Sequence, residues 1–357
     1  MNSVKLLLLT HKFYPNIGGT ESNAEFISNV FHDYGFNVHV VTWTSEFGSK
    51  NFPYTVIRNP SMLKLISEHR WADIVFENSP VLRLSWPAVL IKRPLMVVIN
   101  TWLDSEDGHN AIISKIKIAW LRKANTVIAV SEAIRKRSYL RAEVIENAYN
   151  DRLFINKKRI EDRKKAFVFL GRLVSDKGVN IAIEAIYKLR NRVHPSVREY
   201  GLTIIGDGIE IEQLQRLTNS LQLGDLVNFV GALSGTSLVS VLNEHRFLLV
   251  PSVWDEPFGI VALEGMACGC IPFVSASGGL PDAVGDAGVV FNKGDVGHLV
   301  DKMVALIDNP ELETTIRNNS KMHLMAHSPQ EIGEKYRNAV LTTIDKFKFS
   351  ENTLHSS

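Results

Sequence analysis

The amino-acid sequence predicts an α/β protein of two domains, each built around a parallel sheet, and three observations lead to this fold class. The chain has 357 residues, which is enough for two domains of about 150 residues each. With 45% hydrophobic and 22% charged residues, its composition excludes a disordered chain and a polytopic membrane protein. Short apolar runs alternate with stretches of helical spacing, a pattern typical of strands buried on both faces of a parallel sheet.

The apolar runs form two series that are separated by a polar segment. Five runs lie between residues 4 and 130, and six lie between residues 166 and 291. We therefore predict an N-terminal Rossmann-like domain, a polar linker, a C-terminal Rossmann-like domain that ends in a closing helix, and a flexible tail. The predicted bounds of these four parts are 1–155, 156–165, 166–347 and 348–357.

The first apolar run and the distribution of charge bear on location. The run Leu6–Leu9 is too short for the hydrophobic segment of a signal peptide, so a cytoplasmic protein is expected. The chain carries a net charge of only +2, yet between Lys115 and Lys165 there are 15 Lys and Arg against 6 Asp and Glu. Residues 112–123 mix apolar residues with four cations, as a helix on an anionic membrane surface does. A packed helix with lysine stems along its surface is the alternative interpretation.

The segment from Pro251 to Ala267 is the most informative stretch, because it follows an apolar run and contains two spaced carboxylates. An apolar helix is expected to start near Ile260, with Glu264 about one turn inside it and Glu256 in the preceding loop. A carboxylate can accept two hydroxyl hydrogen bonds, which suits the vicinal diols of a sugar. Carboxylates that only complement the helix dipole are the alternative.

The start of this helix is a candidate binding element. Ligands bind beyond the carboxyl ends of strands in an open parallel sheet, where this loop is expected to lie. Free amides at a helix start point at such a ligand, with the positive end of the helix dipole behind them. The residues that would present these amides are Phe258, Gly259, Ile260 and Val261.

Two further motifs also follow apolar runs. Arg172 stands at the end of a predicted strand and Lys177 precedes a predicted helix, so two fixed cations could neutralise a diphosphate without a metal ion. Gly18 and Gly19 form a turn that opens a helix, where the backbone can approach a phosphate or a sugar closely. Taken singly, solvated turn cations and an ordinary turn are the alternatives.

These motifs occur in order and at family-like spacing: Gly-Gly-x-Glu at 18–21, Gly-Arg and Lys-Gly within 171–178, and Glu-x7-Glu at 256–264. Together with Gly-Asp-Gly at 206–208 and Gly-Gly-Leu-Pro-Asp at 278–282, they resemble glycosyltransferase family 4 over nearly the whole chain. The resemblance implies retaining enzymes of the GT-B fold, in which two Rossmann-like domains face each other across a cleft.

The family's activity is then the expected one. It implies transfer of a hexosyl unit from a nucleoside-diphosphate sugar to a saccharide or lipid-linked saccharide, in the synthesis of cell-surface glycans such as lipopolysaccharide. No metal, no other cofactor and no nucleic-acid partner are expected. The membrane interpretation of residues 112–123 would place the enzyme on the inner face of the cytoplasmic membrane.

Matching positions carry the family's roles. The resemblance implies that Arg172 and Lys177 bind the diphosphate of the donor. It also implies that Glu264 holds the nucleotide ribose, and that Glu256 and the amides at the helix start hold the transferred sugar. The amides of Gly18 and Gly19 would close over the donor from the first domain.

The sequence departs from the family at one position. Many relatives have a histidine after the strand equivalent to 95–99, whereas this chain has Asn100. His109 is a second acceptor-side candidate, although a lone loop histidine is more often only exposed to solvent. The candidate catalytic residues are therefore Glu256, Arg172, Lys177, Asn100 and His109.

Other functions fit the sequence less well. A GT-B sugar-nucleotide epimerase or hydrolase would use the same donor with water in place of an acceptor, and it is the alternative function. A nicotinamide-dependent oxidoreductase is disfavoured because Gly206-Asp207-Gly208 lacks the third glycine of its fingerprint. A metal-dependent GT-A enzyme is disfavoured because the chain has no Asp-x-Asp. The cationic pair weakens a non-catalytic sugar-binding role.

Overall fold

A computed structural model of the protein describes residues 3–16, 18–104, 111–191 and 200–355. The chain divides into two units: unit 1 comprises Met1–Asn147 with Pro329–Ser357, and unit 2 comprises Ala148–Ser328. Within these ranges each unit contains one sheet, and all of its paired strands run parallel. The predicted α/β class is therefore confirmed.

Unit 1 has seven strands in its described part: β1 (Lys5–Thr10), β2 (Asn37–Thr42), β3 (Thr55–Arg58), β4 (Ile74–Asn78), β5 (Leu95–Ile99), β6 (Thr126–Ala129) and β7 (Glu143–Val144). Their order in the sheet is β3-β2-β1-β4-β5-β6-β7. The helices that connect them are α1 (Gly19–Asp33), α2 (Met62–Trp71), α3 (Leu82–Leu90), α4 (Ala111–Leu121) and α5 (Glu132–Ser138). The strands β4 and β5 are fully buried, as expected for continuous apolar runs covered on both faces.

Unit 2 repeats this plan with six strands among its described residues: β8 (Lys165–Leu170), β9 (Leu202–Ile205), β10 (Val227–Gly231), β11 (His245–Val250), β12 (Ile271–Ser275) and β13 (Val289–Phe291). Their order is β10-β9-β8-β11-β12-β13. The helices are α6 (Val179–Asn191), α7 (Ile211–Ser220), α8 (Gly235–Asn243), α9 (Ile260–Ala267), α10 (Leu280–Val284), α11 (Val296–Ile307) and α12 (Pro310–Ala326). Two hydrophobic clusters of buried residues form its core.

The last helix, α13 (Pro329–His355), joins unit 1, whereas the sequence analysis placed the closing helix in the C-terminal domain. Its buried residues Ile332, Tyr336 and Val340 recur at helical spacing, and the Tyr336 ring lies 6.0 Å from that of Phe76 in β4. The helix also extends to His355, into the segment expected to be a flexible tail. No proline or glycine interrupts residues 334–355, so nothing in the sequence stops the helix at 347.

The strand order creates one special position in each sheet. The chain builds outward from β1 to β3 and then returns to place β4 on the other side of β1. In unit 2 it does the same, with β8 followed outward by β9 and β10, and β11 placed on the other side of β8. At such a switch point the loops that follow the two strands diverge, which leaves a crevice at their carboxyl ends. Ligand contacts are therefore expected after β1 and β4, and after β8 and β11.

Candidate functional site

The loops after β8 and β11 contact each other directly at the switch point of unit 2. The carbonyl oxygen of Asp176 accepts hydrogen bonds from the backbone nitrogens of Val253, at 2.9 Å, and of Trp254, at 3.1 Å. Gly178 has a φ of 65°, and a Cβ added there would lie 2.0 Å from the carbonyl oxygen of Pro251. Only glycine fits this position, because both the left-handed backbone and the close approach exclude a side chain.

The contact between the loops joins two of the predicted site residues. Lys177 Nζ lies 2.5 Å from Glu256 Oε1, and the hydroxyl of Ser252 donates to the same oxygen at 3.0 Å. The side chains of Lys177 and Glu256 are only 18% and 15% exposed, so the ion pair is largely shielded from water. An anion that enters this site meets a cation that already has a partner, and a hydroxyl meets a fixed carboxylate.

Arg172 lies nearby in sequence but differs in its environment. Its side chain is exposed and makes no hydrogen bond or ion pair with other described residues. Its backbone is held rigidly, because Leu173 accepts from the amide of Glu210 and donates to Asp207, both in the loop after β9. Among the described residues, Arg172 is thus a cation without a partner on a well-supported loop.

Glu264 has the most perturbed carboxylate of the site. It is half-buried on α9, and within the described chain its side chain makes no hydrogen bond or ion pair. Burial raises its pKa to about 7. A carboxyl group that is buried without a partner costs free energy, and such groups concentrate at functional sites.

The helix α9 begins at Ile260, where the sequence predicted it. Its N-cap residue, Gly259, has a φ of 119°, and a Cβ there would lie 2.5 Å from the Leu280 side chain. The Phe258 side chain is 2% exposed, so only its backbone can face a ligand. The amides from Phe258 to Val261 precede or open the helix, where intrahelical partners are missing.

The loop that precedes α9 is braced from the other side by the segment after β12. The Ser277 hydroxyl donates to the carbonyl oxygen of Trp254 and to Asp255 Oδ1, each at 2.9 Å. The Gly279 nitrogen donates to the carbonyl oxygen of Glu256 at 2.7 Å. Glu256 is therefore held by its backbone as well as by its side chain.

In unit 1, Gly18 and Gly19 lie at the start of α1, after β1. Gly18 is the N-cap residue, with an extended φ of 176°, and Gly19 is the first residue of the helix. A Cβ on Gly19 would meet nothing within 4 Å, whereas one on Gly18 would approach the Glu21 carboxylate. Folding of unit 1 thus gives no reason for a glycine at position 19.

Asn100 belongs to a cluster of amides at the carboxyl ends of β4 and β5. Its Oδ1 accepts from Asn23 Nδ2 at 2.8 Å, and its Nδ2 donates to Asn78 Oδ1 at 2.8 Å and to the Ser79 hydroxyl at 3.3 Å. Both amide protons of Asn100 are used within the protein. Asn78 also donates to the carbonyl oxygen of Thr20 at 2.9 Å, which ties the cluster to α1.

Three members of this cluster, Asn23, Asn78 and Ser79, and Trp254 of unit 2 were not among the predicted site residues. Asn78 lies two residues beyond the apolar run 74–76, and Asn100 directly follows the run 95–99, so a polar amide just after an apolar run is the signal that could have identified Asn78. Ser79 has a φ of 68°, unusual for a residue with a side chain, and no sequence signal predicts it. Trp254 lies inside the stretch that was singled out. The other acceptor-side candidate, His109, lies outside the described residues.

The predicted interfacial helix is α4. Ile112, Ile113 and Ile116 are 75%, 50% and 49% exposed. Trp120 points inward, since its Nε1 donates to Glu77 Oε2 at 2.8 Å. Glu77 is fully buried on β4, and burial raises its pKa to about 7. Across the described helices, none is long and apolar enough to cross a membrane.

The geometry of unit 2 suits an anionic ligand with hydroxyl groups. Among the described residues it offers a guanidinium without a partner, a shielded ammonium, a helix start, one carboxylate in the loop before α9 and one on α9 itself. In the described portion of the chain, three or more His, Cys, Asp or Glu side chains nowhere come together as metal ligands.

Comparisons with known proteins show the family of the chain. Residues 150–323 match the family model "Glycosyl transferases group 1". A glycogen synthase of Mycobacterium tuberculosis is 37% identical over 301 residues, covering 78% of this chain and 70% of that protein. A GDP-mannose-dependent alpha-(1-6)-phosphatidylinositol monomannoside mannosyltransferase of Mycolicibacterium smegmatis is 26% identical over 351 residues, covering 85% and 90%.

The fold has solved counterparts. The crystal structure of Anabaena HepE in complex with UDP and glucose has a TM-score of 0.77 at 19% sequence identity, and the likeness covers 95% of this chain and 100% of that chain. At this identity the likeness concerns the fold alone. It confirms the GT-B class, with its two Rossmann-like units.

Proposed function

The chain belongs to the group 1 glycosyl transferases, and on that premise we propose that it is a retaining hexosyltransferase of the family 4 type. The donor is a nucleoside-diphosphate sugar, and the acceptor is a saccharide or a lipid-linked saccharide of the cell surface. The relatives support both parts, since HepE is in complex with UDP and glucose, and the mannosyltransferase is named for a lipid acceptor.

One observation carries this proposal: the switch point of unit 2 combines two cations with two carboxylates that differ in their partners. Arg172 and Glu264 have none among the described residues, whereas Lys177 and Glu256 hold each other. A diphosphate supplies the counter-charge that Arg172 lacks. A ribose diol supplies the hydroxyl donors that Glu264 lacks.

The leaving group dictates what the cations do. As the bond between the anomeric carbon and the diphosphate oxygen breaks, negative charge grows on the diphosphate. Arg172, Lys177 and the amides at the start of α9 stabilise that charge, and fixed donors do so without reorganisation. The acceptor oxygen attacks from the same face, and its proton passes to the departing phosphate oxygen, so no protein base is required.

The acceptor side belongs to unit 1. The carboxamide of Asn100 is committed to Asn23, Asn78 and Ser79, so it positions the end of β5 and does not take a proton. The exposed isoleucines of α4, together with the exposed Lys115, favour a lipid-linked acceptor on the inner face of the cytoplasmic membrane.

Product analysis tests the transfer. The protein is incubated with UDP-, GDP- and ADP-hexoses with and without an oligosaccharide acceptor, and the anomeric configuration of the product is read by NMR. We expect an acceptor-dependent product with the configuration of the donor. An inverted product would contradict retention, and release of free hexose at the same rate without acceptor would indicate a hydrolase.

Vesicle sedimentation tests the membrane part separately. The wild-type protein and an Ile112→Glu, Ile116→Glu variant are mixed with neutral or anionic vesicles. We expect the wild type to sediment with anionic vesicles and the variant to stay in solution, because each isoleucine that enters the membrane surface contributes to the free energy of partitioning. Equal sedimentation of the two proteins would show that α4 does not bind the membrane and would contradict its assignment to the acceptor site.

A further inference from the structure

Lys177 has a second neighbour besides Glu256. The ammonium lies 5.6 Å from the centre of the Trp254 ring, over its face. A cation within about 6 Å of an indole face is attracted by the ring quadrupole, and the attraction grows where water is excluded. The side chain of Lys177 is 18% exposed, so this contact is made in a largely shielded place.

The backbone of Trp254 is already fixed without its side chain. Its nitrogen donates to Asp176, and its carbonyl oxygen accepts from Ser277. The neighbouring Val253 packs on the hydrophobic core, whereas Trp254 is half-buried at the edge of the site. The indole can therefore be changed while the loop keeps its anchors.

We propose that Trp254 is a positioning residue that holds the Lys177 ammonium in place for the diphosphate. Glu256 attracts Lys177 through one oxygen, and a single oxygen leaves the long side chain free to swing about it. The indole face supplies a second point of attachment that carries no charge. A phosphate can then take over the ammonium from Glu256, because the ring does not compete as an anion.

This inference rests on the proposed function for its ligand, but the geometry can be tested without one. In the ligand-free protein, acetylation of Lys177 by acetic anhydride is followed by peptide mass spectrometry. We expect Trp254→Leu to label Lys177 about three- to fivefold faster than wild type, and Trp254→Phe to stay near wild type because an aromatic face remains. The internal control is Lys293, which follows β13 and forms an ion pair with Asp255. Unchanged labelling of Lys177 in Trp254→Leu would overturn the proposal.

The affinity for UDP, GDP or ADP gives the second readout. We expect Trp254→Leu to raise the dissociation constant of the nucleotide that binds by about tenfold. In a Lys177→Met background the same change should have no further effect, because Trp254 acts through Lys177. An equal tenfold loss in that background would mean that the indole contacts the nucleotide directly, which contradicts the proposal.

Failure of the proposed function would look different. If none of the three nucleotides binds the wild-type protein, the donor assignment is wrong. The labelling of Lys177 still decides whether Trp254 holds the ammonium.

Discussion

The carboxyl edges of the two sheets use opposite chemistry near their switch points. After β8 and β11, unit 2 presents charged groups, of which Arg172 and Glu264 have no partner within the described structure. After β4 and β5, unit 1 presents neutral amides that satisfy one another. Unit 2 therefore offers charged groups that a charged ligand can pair with, whereas unit 1 provides a fixed polar surface.

The difference teaches how one fold serves two tasks. Both sheets have a switch point, so topology alone places a crevice in each. What distinguishes them is whether polar groups at the crevice are left without partners or paired inside the protein. A charge that is buried without a partner, as at Glu264, costs stability, and such groups are retained where a ligand will pair them.

The largest effect is expected from Lys177→Ala. Removing a fixed cation from the site of developing charge should lower turnover by about 10²–10³-fold, the range for loss of one such donor. Lys293→Ala removes an ammonium that follows β13 and pairs with Asp255, and it should leave turnover within about twofold since exposed ion pairs contribute little. Steady-state kinetics measure both. Near-normal transfer by Lys177→Ala would contradict the role of Lys177 in stabilising the charge on the diphosphate.

The next largest effect is expected from a glycine of unit 2, Gly178, compared with a glycine of unit 1, Gly19. Gly178→Ala should destabilise the protein by about 2–3 kcal/mol, because the added methyl meets the carbonyl of Pro251 and the backbone is left-handed. Gly19→Ala should leave stability unchanged or slightly raised, since the site is open and alanine favours a helix.

The melting temperature and the KM for the donor are measured for both glycine variants. If a ligand approaches the backbone of Gly19, its variant keeps the melting temperature of the wild type while the KM rises. An unchanged KM would mean that Gly19 is only part of a turn.

Asn100→Ala tests the neutral region. The substitution leaves Asn23 and Asn78 without one partner each, so the free energy of unfolding should fall by about 1–2 kcal/mol. Turnover should fall far less than in Lys177→Ala. Urea denaturation and kinetics measure the two effects. A collapse of turnover with full stability would make Asn100 a participant in the chemistry and break the distinction between the units.

The smallest effect concerns pH and Glu264. Its pKa is about 7 in the folded protein and lies near 4.5 in the unfolded chain, so its neutral form is favoured by folding. That stability is fully present below about pH 4.5 and is lost as the pH rises through 7. At pH 8 the free energy of unfolding of Glu264→Gln should therefore exceed that of the wild type by about 1 kcal/mol, given the partial exposure of Glu264, and the variant should melt at a higher temperature. At pH 4.5 the two proteins should melt at the same temperature. A variant that melts lower at pH 8 would show that the carboxylate has a partner.

Most of the fold and of the charged site could be predicted from local features of the sequence. The buried strands, the loop after β11 and the start of α9 depend on residues close together in the chain. The position of α13 does not, because its apolar face pairs with α1 and β5, which precede it by more than 200 residues. The amide cluster and the contact of Trp254 with Lys177 depend on side-chain placement across separate elements, which periodicity does not encode.

Binding of nucleoside diphosphates tests the central claim most directly. UDP, GDP and ADP are titrated calorimetrically into the wild-type protein and into Arg172→Ala, with the matching nucleosides as controls. We predict that one diphosphate binds, that its nucleoside binds far more weakly, and that Arg172→Ala loses about tenfold or more in affinity through the missing charge-assisted hydrogen bonds. Equal affinity of Arg172→Ala and wild type, or no binding of any of the three, would contradict a diphosphate site at the carboxyl edge of unit 2.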